Sequence, residues 1–291
     1  MSIAGSMTDS SLHACAGTAA KAAMSKSGTA PATLGVPLTL RIAGFIYGVL
    51  CYAVFFVTFL YAFGFVGNFL TPTALDMVPS ANAMHWSKAL LVNLGLLTLF
   101  AVQHSVMARP WFKARWTRFV PESIERSTYV LCASAAMIAM FYFWQPIGGV
   151  IWHTADPILR AAIVTVMTLG WALVFVSTWL INHFDLFGLR QVWFLLLDKP
   201  YTHLPFTTPL FYRFVRHPLY LGFIIAFWAA PTMTAGHLMF AIATTGYILI
   251  GIFLEERDLV AEFGDRYRRY RDSVGMLLPR IRPPADRKAP N

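Results

Sequence analysis

Apolar residues fall in five long blocks, with the polar residues gathered between them. Residues 38–66, 88–107, 127–151 and 158–182 are rich in Leu, Phe, Val, Ala and Trp and carry almost no charge inside. A helix that crosses a bilayer needs about 20 apolar residues, so each block predicts one transmembrane helix. The fifth block, 218–254, is too long for that: at 1.5 Å per residue it would run about 55 Å, against a hydrocarbon core of about 30 Å. Pro231, followed by Thr232, Thr234 and Gly236, supplies the break, because proline removes a helical donor and glycine accepts the backbone angles of a reversal. The expectation is a helical hairpin, 218–230 and 237–254.

Composition places the whole chain in the same class. Of 291 residues 57% are hydrophobic and 13% charged, and the mean hydropathy is +0.57. The reading is an all-α polytopic membrane protein: four transmembrane helices, a C-terminal hairpin and a basic tail. Residues 1–36 are rich in Ala, Ser, Thr and Gly without helical periodicity or the compact apolar core of a signal peptide, and read as a disordered extension. The rest, 37–291, reads as one membrane domain.

The basic residues orient it. Of 23 Lys and Arg, three lie in the N-terminal region to Arg41, five in 109–126, four in 183–217 and nine in 255–291. The other two, Lys88 and Arg160, lie at the opposite ends of the second and fourth helices. The positive-inside rule therefore puts both termini and the loops 109–126 and 183–217 in the cytoplasm. The pI of 9.7 follows from this topology. The basic tail reads as an anchor to anionic lipid rather than a nucleic-acid surface, since its arginines adjoin lipid-embedded segments. Trp86, Trp111, Trp152 and Trp193, at helix ends, read as an aromatic belt.

Several kinds of chemistry find no support. Cys15, Cys51 and Cys132 show neither metal-ligand spacing nor a disulfide framework, and no metal is expected. A glycine-rich phosphate loop and a Rossmann fingerprint are both missing from the sequence. The informative segment is Arg216-His217-Pro218-Leu219-Tyr220-Leu221-Gly222, with Glu255-Glu256-Arg257-Asp258-Leu259 some thirty residues on. Ionisable groups are costly in lipid and commonly functional there. The hairpin returns Glu255 and Glu256 to the end that holds Arg216 and His217, making a polar pocket at the membrane surface. Pro218 suits a first helical turn, Tyr220 offers a ring and a hydroxyl, and Gly222 allows close approach to the backbone. On the residues alone, an interfacial salt bridge between Arg216 and the glutamates, with His217 at the headgroups, fits equally well.

The Arg-His-Pro-x-Tyr-x-Gly run, the Glu-Glu-x-x-Leu element and the tail Phe263-Gly264-Asp265-Arg266-Tyr267-x-x-Tyr270 with Val274 resemble the C-terminal half of the isoprenylcysteine carboxyl methyltransferase and phospholipid methyltransferase superfamily. The likeness implies an integral-membrane enzyme using S-adenosylmethionine, with its cofactor region in 200–275. Carried over by position, cofactor contacts fall on His203, Leu204, Tyr212, His217, Pro218, Tyr220 and Glu255, joined by Gln191, Arg216, Gly222 and Glu256. Glu255 would hold the ammonium of the methionine part, Arg216 or a backbone donor its carboxylate, and aromatic rings the adenine or sulfonium.

The acceptor is read from other residues. Isoprenylcysteine enzymes carry a basic residue shortly before the Glu-Glu pair, whereas here Gly251, Ile252, Phe253 and Leu254 are uncharged, which argues against a carboxylate acceptor. Gln103-His104-Ser105, Arg109 to Arg118, Glu125-Arg126 and the run Asn182 to Gln191 resemble the methanethiol S-methyltransferase branch, itself similar to nitric-oxide-reduction accessory membrane proteins. That branch implies a small volatile thiol, methanethiol, methylated to dimethyl sulfide in a bacterial cytoplasmic membrane, with hydrogen sulfide as a lesser acceptor. His183 would then act as base, Asp185 would orient it or balance charge, and Arg190 would stabilise the thiolate. An isoprenoid thiol or carboxylate, a lipid amine, or a non-catalytic accessory role stand as alternatives.

Overall fold

The computed structural model describes residues 33–80, 83–202, 204 and 207–280. Helices dominate, and five of them are long and apolar enough to cross a membrane: α1 (Leu38–Gly67), α2 (Trp86–Met107), α4 (Glu122–Phe143), α5 (Pro157–Ile181) and α9 (Ala235–Phe263). Between them lie α3 (Pro110–Trp116), α6 (His183–Leu186), α7 (Leu189–Leu196), a 3₁₀ turn at Leu210–Arg213 and the half-length α8 (Pro218–Trp228); α10 (Asp265–Ser273) follows. Large side chains such as Leu50, Val57, Leu91, Leu169 and Phe253 stand exposed on the long helices, the surface a bilayer would cover. The chain is an integral membrane protein. Residues 1–32 of the expected N-terminal extension lie outside the described residues.

Two boundaries differ from expectation for local reasons. The third block begins its helix earlier, at Glu122, where Glu122 and Glu125 occupy the positive end of the helix dipole. It ends at Phe143 rather than 151, because Pro146 disfavours helix before it and Gly148 and Gly149 follow. The extended chain beyond is held by buried Asn93 of α2, which donates to the Gln145 carbonyl (2.7 Å) and accepts from its N–H (2.9 Å). Residues Val150–His153 then form β1, paired antiparallel with β2 (Thr232–Thr234) immediately after Pro231.

The hairpin therefore reverses through a two-stranded patch, not a bare turn. Its second arm is longer than expected and carries Glu255 and Glu256 within helix, well before the end of α9 at Phe263. At the reversal Asp76 accepts from the Thr234 N–H (2.9 Å) and hydroxyl (2.7 Å) and pairs with His237 Nδ1 (2.6 Å). The other nitrogen of His237 lies 2.9 Å from the Phe227 carbonyl at the end of α8, satisfying a group that the broken helix leaves open. Burial pushes the Asp76 carboxyl up, but His237 and Thr234 outweigh it and hold its pKa below the usual 3.8.

Aromatic packing fills the middle of the bundle, where Phe65, Trp144, Trp171, Phe227 and Phe240 meet largely edge to face. Helices α5 and α8 pack backbone to backbone. A Cβ placed on Gly222 would stand 2.7 Å from the Gly170 carbonyl oxygen, and one on Gly170 2.8 Å from that of Gly222. Small residues at such crossings supply van der Waals attraction where lipid offers no hydrophobic drive. The close approach expected at Gly222 is thus made by α5, and Gly222 is buried in that helix pair.

Candidate active site

The turn before α8 is stapled to the C-terminal tail. The backbone N–H groups of Arg216 and His217 donate to the carbonyls of Gly275 (2.8 Å) and Met276 (3.1 Å). Arg216 Nε donates to Glu256 Oε1 at 2.7 Å, and its NH1 donates to the carbonyls of Arg271 (2.9 Å) and Val274. His217 Nε2 lies 3.0 Å from the same Glu256 oxygen. The Arg216 and Glu256 side chains are only 8% and 14% exposed. Nε and NH1 of Arg216, its backbone donor and Glu256 thereby hold α8, α9 and the tail together, which leaves NH2 as the part of the guanidinium available for the carboxylate-binding role expected of Arg216.

Glu255 is placed differently. One residue on, a helix has turned about 100°, so neighbours on α9 face different partners. Glu255 is 44% exposed, and its nearest ion-pair partner is His217 Nδ1 at 4.0 Å. Tyr220 and Tyr212 both lie within electrostatic reach of it. Among the described residues the buried hydroxyl of Tyr212 has no hydrogen-bond partner, and burial raises its pKa above the usual 10.0. An orphaned phenol costs about 1–3 kcal/mol, and beside a half-open carboxylate it is placed to meet a polar ligand. Tyr212 is itself held from behind, its carbonyl accepting from the Tyr270 hydroxyl at 2.6 Å. Pro218 is fully buried at the first turn of α8, Leu204 is exposed on its loop, and His203 lies outside the described residues.

The residues 183–202 form two further groups. His183 is buried in an aromatic box, stacked on Trp179 (4.7 Å between ring centres, 8° between planes) and edge-on to Tyr52 and Phe187. Thr178 donates its hydroxyl proton to the Phe175 carbonyl, so it accepts from His183 Nδ1 (2.8 Å), and Nε2 is left to accept from the Tyr52 hydroxyl (2.7 Å). Burial lowers the pKa of this imidazole below 6.5. Both nitrogens are occupied, so in this arrangement the ring offers no free lone pair to a thiol.

Asp185 does not orient His183. Its Oδ1 accepts from Arg190 (3.1 Å), the Tyr201 hydroxyl (2.8 Å) and Gln191 (3.4 Å), while Arg190 also donates to the Thr202 carbonyl (2.7 Å) and lies over the rings of Phe194 and Tyr201. Gln191 also donates to the Asp185 carbonyl (3.2 Å), which sets it in this loop cluster rather than beside Glu255. The loop turns on Gly188, φ 89°, where a Cβ would stand 2.7 Å from the Ser127 nitrogen.

Sequence reasoning assigned no part to Tyr129 or Tyr247. Tyr247 bonds to Ser105 of α2 (3.1 Å) and Tyr129 to His104 (3.0 Å), both within the Gln103-His104-Ser105 run. Arg109, at the end of that helix, pairs with Asp258 of α9 at 2.8 Å and closes the same end of the bundle.

Comparison with known proteins gives a consistent answer. The chain is 55% identical over 239 residues to methanethiol S-methyltransferase 1 of Bradyrhizobium diazoefficiens, covering 82% of this chain and 83% of that protein. It is 56% identical over 234 residues to methanethiol S-methyltransferase of Mycobacterium tuberculosis, covering 80% and 95%. More distantly, it is 30% identical over 178 residues to nurim of Xenopus laevis, 57% of this chain and 61% of that one. No protein-family model matches the chain, and no solved structure matches it. On identity and coverage together, the chain belongs to the methanethiol S-methyltransferase family.

Proposed function

We propose that this protein methylates methanethiol with S-adenosylmethionine, giving dimethyl sulfide and S-adenosylhomocysteine, with hydrogen sulfide as a lesser acceptor. The observation that carries the reading is the 45–56% identity, over most of the chain, to relatives named for that reaction. The pocket at Glu255 supports the methyl donor. A half-exposed carboxylate suits an ammonium group, the orphaned Tyr212 hydroxyl suits a polar partner, and Tyr220 and His217 offer faces to a cation. Bound there, S-adenosylmethionine supplies a methyl group activated by a sulfonium charge.

The chain's own residues have three tasks. Glu255 and Tyr212 hold the donor's polar end. Arg216, Glu256 and the tail carbonyls keep α8 and α9 at fixed separation, so that the reacting atoms meet in one geometry. The surrounding apolar helices exclude water, which favours a reaction in which a cation and an anion neutralise each other. The concentration of Lys and Arg in the loops and tail beside the pocket supports a cytosolic opening in a bacterial cytoplasmic membrane.

The test uses membranes containing the chain, given S-adenosylmethionine and methanethiol, with headspace dimethyl sulfide measured beside Glu255→Ala. Product from the wild type and almost none from the variant is the expected result. Absence of product, with turnover of a prenylated thiol or a lipid amine instead, would overturn the acceptor; absence of affinity for S-adenosylmethionine would overturn the enzymatic reading.

A further inference from the structure

Asp76 and His237 meet at the end of the bundle away from Glu255, and their hydrogen bonds bear on the charge of both. Asp76 Oδ1 accepts from the Thr234 N–H (2.9 Å) and hydroxyl (2.7 Å). Its Oδ2 accepts from the side-chain amide of Asn68, the residue that ends α1, at 2.6 Å, and lies 2.6 Å from His237 Nδ1. The amide is oriented by its own oxygen, which accepts from the Asp76 N–H at 2.7 Å, so its NH₂ is the group at Oδ2. Three donors besides the ring thus converge on one carboxylate, the surroundings of an ionised group. His237 is left with acceptors alone. Nδ1 faces the carboxylate and Nε2 the Phe227 carbonyl oxygen at 2.9 Å, and neither oxygen has a proton to give. Both bonds need a hydrogen on each ring nitrogen, which is the imidazolium form.

Burial opposes a charged ring, since the His237 side chain is 0% exposed, but the Asp76 carboxylate against it is 4% exposed and anionic. A buried pair of this kind holds where its remaining donors and acceptors are satisfied, as they are here. Among the described residues no lysine, arginine or second carboxylate pairs with either group, and His153 on β1 is exposed and bonded to the Thr232 hydroxyl at 2.9 Å. The Phe227 carbonyl is the one that Pro231 leaves open: in a continued helix the N–H that reaches it belongs to residue 231, and proline has none. His237 supplies that donor from the next helix. The pair therefore ties together the loop after α1, the far end of α8 and the first turn of α9. Helix α8 is 11 residues long, about 16 Å, and its other end carries Pro218 and Tyr220 of the Glu255 pocket.

We propose that Asp76 and His237 form a proton-dependent latch on the α8–α9 hairpin, closed while the ring holds both hydrogens. Loss of one proton to water breaks the N–H bond at Nε2, and the electron pair that stays on nitrogen then faces the lone pairs of the Phe227 carbonyl. The Nδ1 hydrogen remains with Asp76, the stronger acceptor. Repulsion at the carbonyl frees the far end of α8, while Asn68 and Thr234 keep their bonds to Asp76. A proton that the folded protein needs gives stability at low pH that is lost as pH rises. This alkaline limb is separate from the acid limb on which the Asp76 carboxylate itself is protonated. The latch is independent of which thiol the protein methylates.

The test uses the full-length chain in lipid nanodiscs, labelled with ¹⁵N-histidine and followed by magnetic resonance. At about pH 7.5, where an exposed histidine has given up most of its second proton, both nitrogens of His237 should resonate as N–H. Its signals are those lost in His237→Gln and displaced in Asp76→Asn, whose ring should release the proton at lower pH than the wild type does. His237→Gln offers one donor group in place of two and should melt roughly 3–10 °C below the wild type at neutral pH. That gap should narrow by at least about half as pH rises through the titration of the ring. An unprotonated nitrogen on His237 at the starting pH would overturn the proposal, and so would a ring that titrates while the gap stays constant. Should His237→Gln fail to insert, the Asp76→Asn displacement identifies the ring and the wild-type resonances decide.

Discussion

Replacing Glu256 by alanine removes the only carboxylate among the described residues that pairs with the Arg216 guanidinium, leaving a side chain that is 8% exposed with its charge uncompensated. His217, 4% exposed, loses the same oxygen. Breaking one side of a buried pair costs about 3–5 kcal/mol, because the remaining charge stays desolvated. For a domain of this size that is a fall of roughly 6–20 °C in melting temperature. Glu255→Ala should act in the opposite manner. Its carboxylate is 44% exposed with one ion-pair partner, at 4.0 Å, among the described residues, a pair worth at most about 1 kcal/mol to stability. As a charge-assisted bond to a cofactor ammonium it is worth about 1.5–3 kcal/mol, or about 10- to 150-fold in affinity. The assay is a thermal melt in nanodiscs beside a calorimetric titration with S-adenosylmethionine. The double variant Arg216→Met/Glu256→Leu should recover only part of the stability, since the Val274 and Arg271 carbonyls then lose their donor. A Glu256→Ala protein as stable as wild type, or a Glu255→Ala protein that melts early with cofactor affinity intact, would refute this division.

Tyr212→Phe should leave the ligand-free protein as stable or slightly more so, since it removes an unpaired hydroxyl, while weakening cofactor binding by up to about tenfold in the same titration. Gly222→Ala should destabilise by about 1–3 kcal/mol or more, because its Cβ meets the Gly170 backbone rather than a movable side chain; differential melts would show it. His183→Ala should cost about 3 kcal/mol through the emptied aromatic box, with any loss of methyl transfer tracking the fraction of folded protein by fluorescence. Asp76 has a folded pKa depressed below 3.8, so its contribution is complete above that pH and is lost as pH falls through the depressed value. Stability followed from pH 6 downward should fall in that acid window, and Asp76→Asn should flatten the fall.

Most of the architecture was legible because length and hydropathy are local properties: five apolar blocks became five membrane-length helices and one half-helix. Pro231 also predicted, correctly, that Glu255 and Glu256 return to the end occupied by Arg216 and His217. The separate duties of the two glutamates were not legible, since adjacent letters carry no record of which helix face meets Arg216. His183 was singled out by its neighbours in sequence, yet its partners Tyr52 and Thr178 come from α1 and α5, and only packing reveals that both nitrogens are taken. The Asp76–His237 clasp escaped for the same reason, joining residues 161 apart. Tyr129 and Tyr247 lay within apolar blocks, where a tyrosine ring reads as one more hydrophobe.

The tail staple also dictates an order of manufacture. The donors on Arg216 and His217 emerge from the ribosome about sixty residues before the carbonyls of Val274, Gly275 and Met276 that receive them. Until those carbonyls arrive, α8 sits in the bilayer as a half-length helix with a buried arginine and no closing strand beside it. The joining of α8 to the tail is therefore among the last contacts of the described residues to form during synthesis, and a ribosome that stalls before codon 274 releases an inserted bundle whose Arg216 and His217 donors have not met their carbonyls.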